Sequence, residues 1–345
     1  MKSSIKLILP LAIFATSIAH AELVGKEDIP LSGSDIPGSL RLLENAAAAG
    51  NVAAKGKLAE YLRGLPPPYR NIDRSCTLAH EAADAGDLMG TLVRVECLIT
   101  GGEKADEPIP LARQLARQVQ AKGSPAGGFV LYEVFVLDPK YSYSPGGKVD
   151  MDRYNALAAT PVAQRGEQID ALNGLSAAVS AGHVRAVATM LGYLSTTVAP
   201  GNLDRMINIA SGMQQSKMPI PAAVAGDVQL ARQIRQIGAS RTSVSTFKSA
   251  YSSALIAAAF QIRGIRNDAC DAKDIKIVHV DASEPIANAV YLPLVQPLQN
   301  SYLVQGSWSE SWTFAGCDKT AAVKMQFTAD GWGGAQYTSS PIKLP

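Results

Sequence analysis

Histidine is scarce in this chain, with four in 345 residues, and His20 sits in the apolar N-terminal leader. That leaves His80, His183 and His279 for any imidazole chemistry. There is no G-x-S-x-G elbow, no P-loop and no G-x-G-x-x-G after a strand, so the usual motifs of serine hydrolases and nucleotide binders are missing. The four cysteines include no C-x-x-C pair, which weakens a four-cysteine metal site. After the leader no apolar run reaches the roughly 18–20 residues of a membrane span. Net charge is also lacking. The leader holds Lys2 and Lys6 and no acid, so the rest of the chain balances 30 basic against 30 acidic residues. That balance argues against a general nucleic-acid or electrostatic membrane binder.

What is present begins with an export signal. Lys2 and Lys6 give a basic start, residues 7–18 an apolar core, and Ala19-His20-Ala21 an A-x-A site before Glu22. This is the pattern of a secretory signal peptide over residues 1–21. The expectation is a soluble protein outside the cytoplasm, in a bacterial periplasm. A Pro/Gly/Ser-containing lead-in follows over 22–38.

From residue 39 one unit recurs. An Ala-rich run ends at Gly50, Gly86, Gly123 and Gly182, and the next residue is Asn51, Asp87, Ser124 or His183. Twelve residues after each glycine stands Leu62, Leu98, Phe135 or Leu194. Before the turns, Leu40, Leu43, Ala46 and Ala47 are matched by Cys76, Ala79, Ala82 and Ala83, by Arg113, Ala116, Val119 and Gln120, and by Leu172, Leu175, Ala178 and Val179. This is helical spacing. The glycine spacings of 36, 37 and 59 residues put the first intervals in the mid-thirties, the period of an α-solenoid of helix pairs.

The pattern resembles the Sel-like repeat family, a short relative of tetratricopeptide repeats. It is carried by residues 46–54 with Leu58-Ala59-Glu60-Tyr61-Leu62, and by the units around Gly86 and Gly182. The resemblance covers about residues 39–215, and Leu65-Pro66-Pro67-Pro68-Tyr69 departs from the family's Gly-rich loop. It implies stacked helix pairs that present an extended surface to other proteins, as adaptors, scaffolds or inhibitors.

Four cysteines in an exported chain suggest two disulfides. Cys76 lies ten residues before Gly86 and Cys97 eleven after it, so an antiparallel pair sets them at matching heights. Such a bridge stabilises by about 3 kcal/mol in the loop-entropy model. Cys270 is then left for Cys317.

The third interval is 22 residues longer than the second. The extra length falls around residues 138–147, with Tyr141 and Tyr143 among Ser, Pro and Gly. Insertions often lie on the binding side of a solenoid, so Tyr141, Tyr143 and nearby Tyr154 are candidate partner-binding residues. A plain spacer is the alternative. The repeats extend over 39–240. A capping or linking helix follows over 241–269, with stripe Phe247, Tyr251, Ala254, Leu255, Ala258, Ile262 and Ile265 and Ser245 as candidate N-cap. From Cys270 to residue 345 period-two alternation takes over. Trp308, Trp312 and Phe314 oppose Ser309, Ser311 and Thr313, and Val323, Met325 and Phe327 alternate with Lys324, Gln326 and Thr328. The fold expected is mainly α: an α-solenoid followed by a small disulfide-linked β domain.

Reactive candidates are few. His80-Glu81-Ala82-Ala83-Asp84 is a near miss to H-E-x-x-H, which needs a second His as ligand; the repeat register makes these surface helix residues. Asp150 reads as a helix cap, and Asp330 in its Gly cluster as a turn rather than a calcium site. Trp308 and Trp312 flank Glu310 on one strand face and are candidate partner-binding residues, for a sugar or an aromatic side chain. The competing reading puts both Trp in a core with Glu310 at its rim. The function expected is a periplasmic protein-binding module, with an immunity protein against a secreted toxin or an envelope scaffold as specific forms. The alternative is a cell-wall hydrolase or carbohydrate-binding accessory using the C-terminal sheet. No catalytic residue, cofactor or metal is expected, and the free protein is expected to be monomeric.

Overall fold

The glycine-punctuated runs fold as helical hairpins in the computed structural model, which describes residues 35–144, 148–263 and 271–342. The signal peptide, most of the lead-in, Pro145-Gly146-Gly147 of the insertion, Ile265 and Cys270 lie outside the described residues. Three hairpins come first: α1 (Ile36–Ala48) with α2 (Val52–Gly64), α3 (Ile72–Asp84) with α4 (Leu88–Ile99), and α5 (Pro108–Ala121) with α6 (Pro125–Leu137). Then follow α7 (Met151–Ala158), α8 (Gly166–Ser180), α9 (Val184–Thr196), α10 (Asn202–Gln215), α11 (Ala222–Ile237) and α12 (Val244–Arg263). The strands are β1 (Lys276–Asp281), β2 (Ala287–Tyr291), β3 (Leu303–Gly316), β4 (Lys319–Ala329) and β5 (Ala335–Ile342).

All four turn glycines hold φ between +79° and +89°, the left-handed conformation that costs glycine no Cβ clash and ends a helix cheaply. Asn51 and Asp87 then cap the second helix by accepting from the amides of Ala54 and Gly90; Ser124 makes no such side-chain bond. The residue seven before each glycine, Leu43, Ala79, Ala116 or Leu175, is fully buried, and the four residues twelve after are buried as well. A second constraint appears four residues after each glycine, where Ala54, Gly90, Gly127 and Ala186 stand. A Cβ on Gly127 would stand 2.4 Å from the Gln120 amide nitrogen, and one on Gly90 2.5 Å from Ala82 Cβ. Small residues here let each second helix abut the end of the first.

Contacts divide the chain into two compact units. One holds residues 35–144 and 170–183. In it the second helices α2, α4 and α6 pack in succession against each other and against the first helices. Where α6 meets α8, Gly128 and Gly174 put backbone on backbone. The disulfide joins Cys76 to Cys97, with Cα atoms 5.8 Å apart, in a core with Ala59, Ala79 and Val93. The pairing expected from the repeat geometry is the one found.

The other unit holds residues 148–169 and 184–342. Its antiparallel sheet runs β1-β3-β4-β5, with β2 on the far half of β3. Trp308, Trp312, Phe314, Val323, Met325 and Phe327 fill one face, beneath α12. Ser309, Ser311 and Thr313 sit on the other face of β3. The chain does not divide near residue 240. The apolar sheet face needs a second layer, and α12 supplies it, with α9, α10 and α11 in the same unit. Helix α12 is capped by Ser243, whose Oγ accepts from the Thr246 amide, rather than by Ser245. Cys317 is disulfide-bonded and no described cysteine is free; its expected partner Cys270 lies outside the described residues.

Candidate partner-binding surface

The first helices of the three hairpins leave an aligned stripe in solvent. Nine and five residues before Gly50, Gly86 and Gly123 stand Arg41 and Asn45 on α1, Thr77 and Glu81 on α3, and Gln114 and Gln118 on α5, all exposed. The spacing arises because positions seven and ten before the glycine face the core, which turns these outward on a 3.6-residue helix. Ion pairs between hairpins follow the same register. Glu44, six before its glycine, pairs at 2.7 Å with Arg74, twelve before the next. Arg117 and Asp170 repeat those two positions with the charges exchanged, at 2.6 Å. The stripe is polar, mixed in charge and repeated at hairpin spacing, a geometry for an extended macromolecular contact.

Beside it lies the near-miss motif. His80 Nδ1 is 2.9 Å from Glu103 Oε1 and Nε2 is 3.3 Å from Asp84 Oδ2. Arg94 donates to Glu103 at 3.0 Å and to Asp84 at 2.8 Å. Arg94 supplies a cation where the motif needs a second ligand, so the cluster is an ion-pair network joining α3 to α4. Among the described residues no group of three His, Cys, Asp or Glu could hold a metal ion.

The tyrosines chosen from sequence do not form one surface. Tyr141 packs on Phe135, ring centroids 4.4 Å apart, with Lys140 Nζ 5.1 Å above its ring; Tyr143 is half-buried nearby in sequence. Tyr154 lies in the other unit, where its hydroxyl donates to Asp330. Asp330 Oδ1 also accepts from the amides of Trp332 and Gly334, so Asp330 builds a turn. Arg165, 3 % exposed, donates to the carbonyls of Thr160, Ala158 and Gly331 and lies under the Trp332 ring. Burial works against its charge, offset by the Tyr302 hydroxyl and Asp330. The segment after the insertion is thus anchored to the 330–334 turn rather than offered to a partner.

Trp308 and Trp312 require the firmest correction. Both are buried, Trp308 stacked on Phe327 and Trp312 on Phe247, because α12 covers that face of the sheet. The core reading of the two Trp is the one found, and the alternative of a glycan platform on them has no exposed aromatic surface. Glu310 is not at the rim either: it is 2 % exposed. It accepts from Trp308 Nε1 at 3.1 Å, Trp312 Nε1 at 2.9 Å, the Arg241 amide at 2.8 Å and the Ser240 hydroxyl. Burial pushes its carboxyl pKa up, against the pull of these donors. The carboxylate pins the 240–241 turn to β3.

The clefts are shallow. One of about 330 Å³ lies between residues 158–162 and Val290, Val304, Gln305 and Asp330; one of about 460 Å³ lies between α12 and β5. Neither is lined by a nucleophile paired with a base. No family model, curated protein or solved structure matches the chain. The repeat register is therefore carried by the residues and their packing alone. The sequence carries a signal for the stripe, polar residues at a fixed offset from Gly50, Gly86 and Gly123, but the apolar pattern of the repeats does not single it out.

Proposed function

We propose that the chain is an exported protein-binding module, an adaptor, scaffold or inhibitor whose partner lies across the first helices of the hairpins. The observation that carries this reading is the stripe Arg41, Asn45, Thr77, Glu81, Gln114 and Gln118, exposed at equivalent positions on successive hairpins. Stacked hairpins offer such a surface because each repeat contacts only its neighbours and leaves one helix face free. The leader over residues 1–21 and the Cys76–Cys97 bridge fit an oxidising compartment, the periplasm. A specific form, resting on the resemblance to Sel-like repeats, is an immunity protein that neutralises a toxin delivered there; an envelope-assembly scaffold is the other.

The test is capture from the exported fraction of the native cell, comparing the wild type with an Asn45→Arg, Thr77→Arg, Gln118→Arg triple variant. Exposed substitutions of this kind shift stability by about 0.5 kcal/mol or less each, so folding is retained. The wild type should recover one stoichiometric protein partner that the variant loses. Equal recovery by both moves the interface elsewhere, and recovery of peptidoglycan alone rejects the reading.

A further inference from the structure

The loop that leaves α4 crosses the Cys76–Cys97 bridge. Both cysteines are buried, Cys76 4 % exposed and Cys97 0 %. Yet Gly102, which rests on Cys76, is itself exposed. A Cβ on Gly102 would stand 2.8 Å from Cys76 Sγ and 3.6 Å from Ile72 Cγ2, so the backbone passes this close to the sulfur only as glycine. One thickness of main chain therefore lies between Cys76 Sγ and solvent. The strap is held at few points. The amides of Gly102 and Glu103 donate to the Cys97 carbonyl at 2.8 and 3.2 Å. Glu103 adds a side-chain tether, its Oε1 meeting His80 Nδ1 at 2.9 Å and Arg94 Nε at 3.0 Å.

The two sulfurs have different surroundings. Cys76 Sγ lies under the strap. Cys97 Sγ lies 3.7 Å from Arg63 Nη1, on a guanidinium that also pairs with Glu96 at 2.9 Å and donates to Thr100 at 3.1 Å. A thiolate forms more readily beside a cation, and in thiol–disulfide exchange the better-stabilised sulfur leaves faster. We infer that the 101–103 strap gates a thiol-exchange site: once Glu103 lets go, a dithiol enters at Cys76 Sγ and Cys97 is the leaving sulfur. The dithiol's thiolate forms an S–S bond to Cys76 as the Cys76–Cys97 bond breaks. The electron pair of that bond leaves on Cys97, which takes a proton from water. The second thiol of the reagent, as thiolate, attacks the reagent's own sulfur in the mixed disulfide and expels Cys76, which is protonated in turn. The dithiol ends as a disulfide, and the bridge has gained two electrons and two protons. The staple between α3 and α4 is thus one that opens by movement of a loop, without unfolding of the hairpins.

Reduction of the purified, oxidised protein by dithiothreitol tests this, with acid quench, alkylation and peptide mapping, so that Cys76 and Cys97 are read apart from Cys317. Entry through the strap makes the rate nearly independent of urea below the unfolding transition. Reduction that waits for global unfolding steepens with the full unfolding m-value instead. Glu103→Ala should speed reduction about tenfold, the weight of one charge-assisted hydrogen bond. Glu44→Ala, which breaks the exposed pair with Arg74, should leave the rate unchanged. If Glu103→Ala does not fold, His80→Ala removes one of the two tethers and should also speed reduction. A monothiol, glutathione, should form its mixed disulfide on Cys76. A full urea slope in the wild type overturns the inference, and so does an adduct on Cys97 or a tether variant that folds and reduces no faster than wild type.

Discussion

Glu310 shows what a single residue does in this molecule. Its carboxylate sits among two indole N–H groups, a backbone amide and a serine hydroxyl, all able to donate. In Glu310→Gln one oxygen becomes an amide NH2 group that donates and cannot accept, leaving a buried donor unpaired. We expect a loss of about 1–3 kcal/mol, read by urea unfolding. The pH dependence has a definite sign. Burial raises the folded carboxyl above its ordinary value of 4.5, so the folded state holds this proton more tightly than the unfolded chain. Its contribution is fully present below that ordinary value and is lost as pH rises through the raised one. The stability gap between wild type and Glu310→Gln should therefore narrow as pH rises from about 4.5, and a gap that widens contradicts the assignment. The sequence showed that Trp308, Glu310 and Trp312 share a face. It did not show that the face is covered, because the covering residues, Ser240, Arg241 and Phe247, lie some seventy positions away.

At the scale of elements, the hairpin turn is the organising device. Gly127→Val would drive a side chain into the Gln120 backbone, where an added Cβ alone would stand 2.4 Å from the amide nitrogen. Backbone cannot move aside as a side chain can, so the loss should be at least about 2 kcal/mol. Gly212→Ala, in α10 with nothing within 4 Å of the new Cβ, should instead gain up to about 1 kcal/mol from helix propensity. Thermal melts of the pair decide the point, since equal effects would mean that close approach is not what the small position provides. The stapled hairpin gives another expectation. Cys76→Ser with Cys97→Ser opens a bridge of sequence separation 21 and should cost about 3 kcal/mol. Hairpins, turn glycines, buried positions and the Cys76–Cys97 pairing were legible because all are local and repeat. The layer that α12 adds to the sheet was not, because a helix stripe says that a face is buried without saying against what. The internal roles of Tyr154 and Asp330 depend on a contact across 176 residues, beyond the reach of any local pattern.

At the scale of the whole molecule, the chain carries a hairpin array with a polar stripe and a second unit built on the sheet. If the proposed signal peptide is removed after Ala21, mass spectrometry of the protein from the cell envelope should find Glu22 at the N-terminus; an intact Met1 would contradict export by this route. With 30 basic and 30 acidic residues beyond residue 21, recognition along the stripe should depend on shape and paired polar groups more than on long-range attraction. The central claim is that the partner lies on the first helices of the hairpins. Hydrogen exchange on the partner complex, compared with the free protein, tests it most directly. New protection is expected in peptides spanning residues 41–48, 73–84 and 110–121, with little change in residues 303–342. Protection confined to the sheet unit, or none in the hairpins, would contradict it.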